Sequence, residues 1–171
     1  MLTPVQEKYL ASVPEDTMAH VEPFNPKARA VAESVLVELQ TLLPYAAIHH
    51  LGATRLGIAG QNDIDINIIA GERFLEYVKV LEEKFGKPEI KDAGTRYSWK
   101  FVRETFPVDI AMVAKSNRRI EDDLDTQQVL EARGDLRTVF EQLKFTCNGG
   151  SLREYTRKKF EFFNDMLHPH A

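Results

Sequence analysis

Three carboxylates carry the chemistry that this chain could perform. Asp63 and Asp65 stand one residue apart in Gln61-Asn62-Asp63-Ile64-Asp65-Ile66-Asn67-Ile68-Ile69. Alternation along a strand sends Ile64, Ile66 and Ile68 to one face and Asp63, Asp65 and Asn67 to the other. The two carboxylates then sit about 6.6 Å apart along the backbone, close enough to converge on a hard divalent cation. Without a cation, like charges held side by side repel. A third acidic residue, Asp109, lies in Phe106-Pro107-Val108-Asp109-Ile110-Ala111-Met112-Val113, where Val108, Ile110 and Met112 form the opposite face. The plain alternative for all three is a set of solvated acidic residues on strand surfaces.

The elements that must position them follow from periodicity and punctuation. Asn25 before Pro26 marks a helix start, and the helix is expected to run to about Leu43, with Pro44 ending it. Val31, Val35, Val37, Leu39, Leu42 and Leu43 supply its apolar stripe. Residues 46–51 read as a first strand and 63–69 as a second. Helical spacing of Phe74, Val78, Leu81 and Phe85 fills 72–85, stopped by Gly86. A short strand over 89–92 precedes a hairpin of 96–103 and 108–113, turning through Glu104-Thr105-Phe106-Pro107. The rest is helical. Ser116 or Asn117 caps one helix, Asp135 a second, and Ser151-Leu152-Arg153-Glu154 opens the last after Asn148-Gly149-Gly150. The order predicts a single α+β domain over 1–171: a small mixed sheet flanked by helices, an N-terminal extension (1–24) and a helical C-terminal part (116–171). Gly52, Gly57 and Gly60 do not have the dinucleotide-fold spacing.

Composition narrows the classes. With 43% apolar and 28% charged residues in 171, the chain suits one globular domain with a real core. A net charge of -4 argues against non-specific coating of nucleic acid, though not against a nucleotide ligand. Cys147 is the single cysteine, so no internal disulfide forms; it reads as a small residue near a helix end. With no run of 18 apolar residues and no signal-peptide pattern, the chain is read as cytoplasmic and without a membrane partner.

The stretch His50-Leu51-Gly52-Ala53-Thr54, with nine residues between Ala53 and the run Asp63-Ile64-Asp65-Ile66, resembles the DNA polymerase β-like nucleotidyltransferases, and within them the GrpB-like proteins. The resemblance covers roughly residues 26–167. It implies a nucleotidyltransferase-like fold and transfer of a nucleotidyl group from a nucleoside triphosphate to an unidentified small-molecule or protein hydroxyl. Asp63, Asp65 and Asp109 would be the catalytic carboxylates and would hold Mg²⁺ or Mn²⁺. Gly52, Ala53, Thr54 and Arg55 would contact the phosphates. The basic stripe Arg96, Ser98, Lys100, opposite Tyr97, Trp99 and Phe101, would adjoin Asp109 and meet the triphosphate. Lys144, Tyr155 and Lys158 match Lys and Tyr positions of the GrpB-like pattern. Two departures stand out. Ala53 replaces the usual Ser or Gly and loses a donor, whereas Asp109 stands where histidines are common. The carboxylate at Asp109 is closer to active transferases, whereas Ala53 supports an alternative function, a non-catalytic nucleotide- or metal-binding regulatory module.

His49 and His50 are adjacent and face opposite sides of a strand, so they read as structural. Glu121, Asp122, Asp123 and Asp125 read as a solvated acidic helix start, because the glycine and terminal glutamate of a calcium loop are missing.

Overall fold

A computed structural model describes residues 2–168. Among these residues there are seven helices and five strands, the expected elements in order with α1 and α3 in addition: α1 (Pro4–Ser12), α2 (Pro26–Leu42), β1 (Ala47–Leu51), α3 (Gly52–Leu56), β2 (Ile64–Ile69), α4 (Phe74–Phe85), β3 (Glu89–Asp92), β4 (Arg96–Arg103), β5 (Phe106–Val113), α5 (Arg118–Ala132), α6 (Gly134–Cys147) and α7 (Leu152–Leu167). A one-turn 3₁₀ helix, Gly71–Arg73, leads into α4. The strands form one mixed sheet in the order β1-β2-β5-β4-β3. β2 and β5 run parallel, and the other neighbours run antiparallel.

Local chemistry explains most boundaries. Asn25 caps α2 by accepting from the Lys27 amide at 3.0 Å, with Pro26 in the first turn. Asn117 caps α5 and Ser151 caps α7 in the same way. Thr3 and Gln6 make a reciprocal capping box for α1. Asp135 does not cap α6; it lies in the first turn, gripped by Arg133 at 2.6 Å and 2.9 Å. The hairpin turn is tighter than the sequence suggests. Phe106 and Pro107 already belong to β5 and pair with Arg103 and Val102, while Glu104 takes a left-handed φ of 57°.

The main core lies between one face of the sheet and helices α2 and α4. Ile64, Ile66, Ile68, Val108, Ile110, Met112 and Trp99 meet Val31, Val35, Leu39, Phe74, Tyr77 and Leu81 there. Each fully buried Ile contributes about 1.5–3 kcal/mol, so alternation on β2 alone fixes which face turns inward. Trp99 donates its indole N–H to the Gly86 carbonyl at 2.9 Å, and Phe101 stacks on Phe85. Val37 does not belong to the α2 stripe; it is 63% exposed, because the buried positions 28, 31, 32, 35 and 39 define the opposite side of the helix.

A second apolar cluster joins the turn after β1 to the C-terminal helices. Ile58, Leu130 and Phe140 are buried with Ala53, Leu56, Leu136, Phe162, Phe163 and Met166. Residues ahead of α2 are laced into the fold. Glu22 and Gly60 exchange backbone hydrogen bonds at 2.7 Å and 3.0 Å. Asn62 accepts from the Asn25 amide and donates to Glu22 and the Pro23 carbonyl. Its φ of 53° sets the direction in which β2 begins.

Candidate active site

Register brings the predicted carboxylates together. Asp65 of β2 is the direct partner of Asp109 on the neighbouring β5, so both side chains rise from the face opposite the core. Asp63 precedes β2 by one residue and lines, with Asp109 and Lys100, a cleft of about 360 Å³. Lys100, the β4 partner of Asp109, reaches its Oδ2 at 3.0 Å. This hydrogen bond and the Asp109 charge raise the Lys100 pKa. Arg96 lies two alternations along the same face and feels Asp92, Asp123 and Asp109.

Electrostatics mark Asp65 as the strained member. Its carboxyl is pushed up to about 7, first by burial, then by the charges of Asp63 and Asp109; Lys159 and Lys144 act against the rise. These lysines arrive from α7 and α6. Lys144 is buried, donates to the Ala59 carbonyl at 2.9 Å, and has its pKa lowered to about 8, first by burial and then by Lys159. Tyr155, near Cys147 and Asp63, is pushed up to about 12 chiefly by burial. Lys158 belongs elsewhere: it is exposed and sits 3.9 Å from Glu154 on its own helix. Lys159, one position on, is the α7 lysine that faces Asp65. Asp123 also differs from its expected role, since burial raises its carboxyl and it faces Arg119, Lys159 and Arg96.

The turn after β1 is only partly what the sequence suggests. Gly52 opens α3 with φ 81°, and a Cβ there would stand 2.5 Å from the Asp65 Oδ2. Glycine is thus required twice, by conformation and by the carboxylate packed on it. Ala53 follows within the same turn. Thr54 does not present its hydroxyl to a ligand; it is 1% exposed and donates to the Asp63 carbonyl at 2.5 Å. This bond ties α3 to the start of β2. Arg55 turns away from the aspartates and pairs with Glu131 at 2.8 Å. Sequence reasoning missed Gln127, whose Oε1 accepts from the Gly52 amide at 3.0 Å. No local signal marks it, because the contact joins residues 75 apart.

Among the described residues, no three His, Cys, Asp or Glu side chains are already gathered as a metal-binding group. The donor chemistry nevertheless fits a hard divalent cation. Two carboxylates in register and a third beside them offer only oxygen ligands, and the raised Asp65 pKa is the signature of negative charge without full compensation.

Residues 18–168 match the profile of a family described as GrpB protein. A UPF0157 protein of Vibrio cholerae serotype O1 is 27% identical over 133 residues, spanning 77% of this chain and 71% of that protein. Among solved structures, the conserved protein GrpB from Enterococcus faecalis superposes with a TM-score of 0.58 at 18% identity, over 86% of this chain and 90% of that one. The Cid1 poly(U) polymerase, solved with Mg and 3′-dATP bound, superposes with a TM-score of 0.52 at 15% identity, over 81% of this chain but only 43% of the polymerase. The fold is therefore nucleotidyltransferase-like.

Proposed function

The chain belongs to the GrpB family, and on that premise we propose that it is a metal-dependent nucleotidyltransferase. It would move a nucleotidyl group from a nucleoside triphosphate to a small-molecule or protein hydroxyl. The observation that carries this reading is the in-register pair Asp65 and Asp109, with Asp63 beside them and Lys144 and Lys159 facing Asp65. Asp63, Asp65 and Asp109 are the residues that would hold Mg²⁺ or Mn²⁺. Bound there, the ion supplies charge neutralisation for the triphosphate and for the leaving pyrophosphate.

The remaining work falls to the chain's own groups. Lys100, Arg96, Lys144 and Lys159 offer positive charge around the carboxylates, suited to a triphosphate's oxygens. Asp109, once Lys100 turns to the phosphates, accepts the proton of the acceptor hydroxyl. The acceptor oxygen then bonds to the α-phosphorus as the bond to pyrophosphate breaks. Gly52 packs against the Asp65 carboxylate, and Gln127 must release its amide before that amide can serve a phosphate.

The test is transfer of label from each of the four α-labelled triphosphates, with Mg²⁺ or Mn²⁺, to a panel of hydroxyl compounds and to protein. Metal-dependent transfer that disappears in Asp109→Asn is expected. Two features favour a second reading, a non-catalytic nucleotide-binding module: Ala53 offers no hydroxyl, and Gln127 and Lys100 already occupy Gly52 and Asp109. Metal-dependent triphosphate binding with no transfer to any acceptor would select it.

A further inference from the structure

A second cavity, of about 340 Å³, opens beside β1, the edge strand of the sheet, and none of the three aspartates lines it. His50 lies in its wall, and the register of His50 with the core residue Ile66 places it on the face opposite Asp65. Helix α2 contributes Arg29, Glu33 and Leu36, at helical spacing on one side. Arg55 and Leu56 come from α3, Glu131 from the end of α5, and Arg137 from α6.

We propose that this cavity is a ligand site for a small phosphate-bearing molecule. Three guanidinium groups face two carboxylates, and one carboxylate, Glu131, is already engaged by Arg55 at 2.8 Å and Gln127 at 3.1 Å. Positive charge is left over. Two arginines are held in place by backbone groups rather than by acids. Arg29 donates to the Arg55 carbonyl at 3.1 Å and lies over the Phe24 ring; Arg137 donates to the Leu130 and Glu131 carbonyls at 3.2 Å and 3.3 Å. Their remaining N–H groups are thus pre-oriented, which lowers the entropic cost of binding. Gly57, with φ 72°, leaves room for Arg29: a Cβ there would stand 2.7 Å from its Nη2.

The second independent observation is His50. Its Nε2 is buried and has no hydrogen-bond partner. A buried polar atom left unpaired costs roughly 1–3 kcal/mol, a penalty that a ligand oxygen would remove by accepting from the ring in its Nε2-protonated tautomer. Burial, then Arg55 and Arg29, push the His50 pKa down to about 4, so the ring is neutral and carries one N–H. Forked guanidinium donors match the oxygens of a phosphate better than a single carboxylate, and Leu36 and Leu56 offer an apolar wall to the organic part of such a molecule. The volume is in the range of small-molecule sites, at the low end of roughly 300–1,000 Å³.

The test uses the full chain in phosphate-free buffer with EDTA, so that no metal ion can hold an anion on the aspartates. Pyrophosphate is the probe and citrate the carboxylate comparison. Calorimetry gives affinity, and a long-range ¹H–¹⁵N spectrum follows the histidine rings, with His50 assigned from its loss in His50→Gln. Pyrophosphate is expected to bind, to move the His50 ring resonances, and to bind at least tenfold more weakly to Arg29→Gln, with Lys100→Gln unchanged. The wild-type His50 shift carries the test if Arg29→Gln folds poorly. Absence of binding would overturn the proposal. So would binding that leaves His50 unmoved, binding lost in Lys100→Gln but kept in Arg29→Gln, or citrate binding more tightly than pyrophosphate.

Discussion

Replacing Asp65 with Asn should make the metal-free protein more stable, and only in a defined pH range. The Asp65 carboxyl stands near 7 in the fold against 3.8 unperturbed. The native state therefore keeps a proton that the unfolded chain gives up at lower pH. The stability tied to that proton is complete below about pH 4 and is lost as pH rises through about 7. The amide introduced by Asp65→Asn never ionises, so the mutant escapes the loss. A rise from 3.8 to about 7 corresponds to a ceiling of about 4 kcal/mol. Relaxation of the cleft, and the fit of an amide beside Gly52, reduce the realised gain to about 1–3 kcal/mol. For a domain of this size that raises Tm by about 2–12 °C. Urea or thermal unfolding of both proteins at pH 4.5, 6 and 8 in EDTA measures it. The mutant's advantage should grow with pH and level off above about 7. An advantage that is independent of pH, or a mutant less stable at pH 8, would refute the picture of an uncompensated carboxylate cluster.

Three further substitutions separate structural from ligand-facing roles in the turn after β1. Thr54→Val removes the buried donor to the Asp63 carbonyl and should cost about 1–3 kcal/mol in urea unfolding; a neutral result would mean that the bond does not tie α3 to β2. Gly52→Ala must adopt φ 81° with its Cβ 2.5 Å from the Asp65 carboxylate, so a loss of about 1–3 kcal/mol is expected, and unchanged Tm would contradict that close packing. Gln127→Ala frees the Gly52 amide. If that amide serves a phosphate, affinity for a non-hydrolysable triphosphate should rise about 2- to 12-fold, matching a hydrogen bond worth roughly 0.5–1.5 kcal/mol; equal or weaker binding by calorimetry would exclude the amide as a phosphate donor.

The residues that the sequence disclosed are those whose roles are set by near neighbours. Ile64, Ile66 and Ile68 alternate with Asp65 and Asn67, so face and strand were legible together, and the same logic on Val108, Ile110 and Met112 placed Asp109. Asn25, Asn117 and Ser151 cap because their oxygens reach amides two or three residues on. The errors at the site share one origin, contacts made across the fold. Thr54 looks like a phosphate ligand until β2 folds beside it and takes its hydroxyl. Arg55 looks free until the end of α5 brings Glu131. Lys158 and Lys159 differ by one helical position, about 100° around α7, and only packing of that helix decides which faces Asp65. Val37 misled because an apolar residue on a long helix carries no mark of the side on which the sheet lies.

Calorimetric titration of the wild-type protein with a non-hydrolysable nucleoside triphosphate, with and without Mg²⁺, tests the central claim most directly. Assembly of Asp63, Asp65 and Asp109 into a cation-dependent triphosphate site predicts binding that requires the metal and is abolished in Asp65→Asn, although that mutant is the more stable protein. Binding of equal strength without metal, or full affinity in Asp65→Asn, would contradict it.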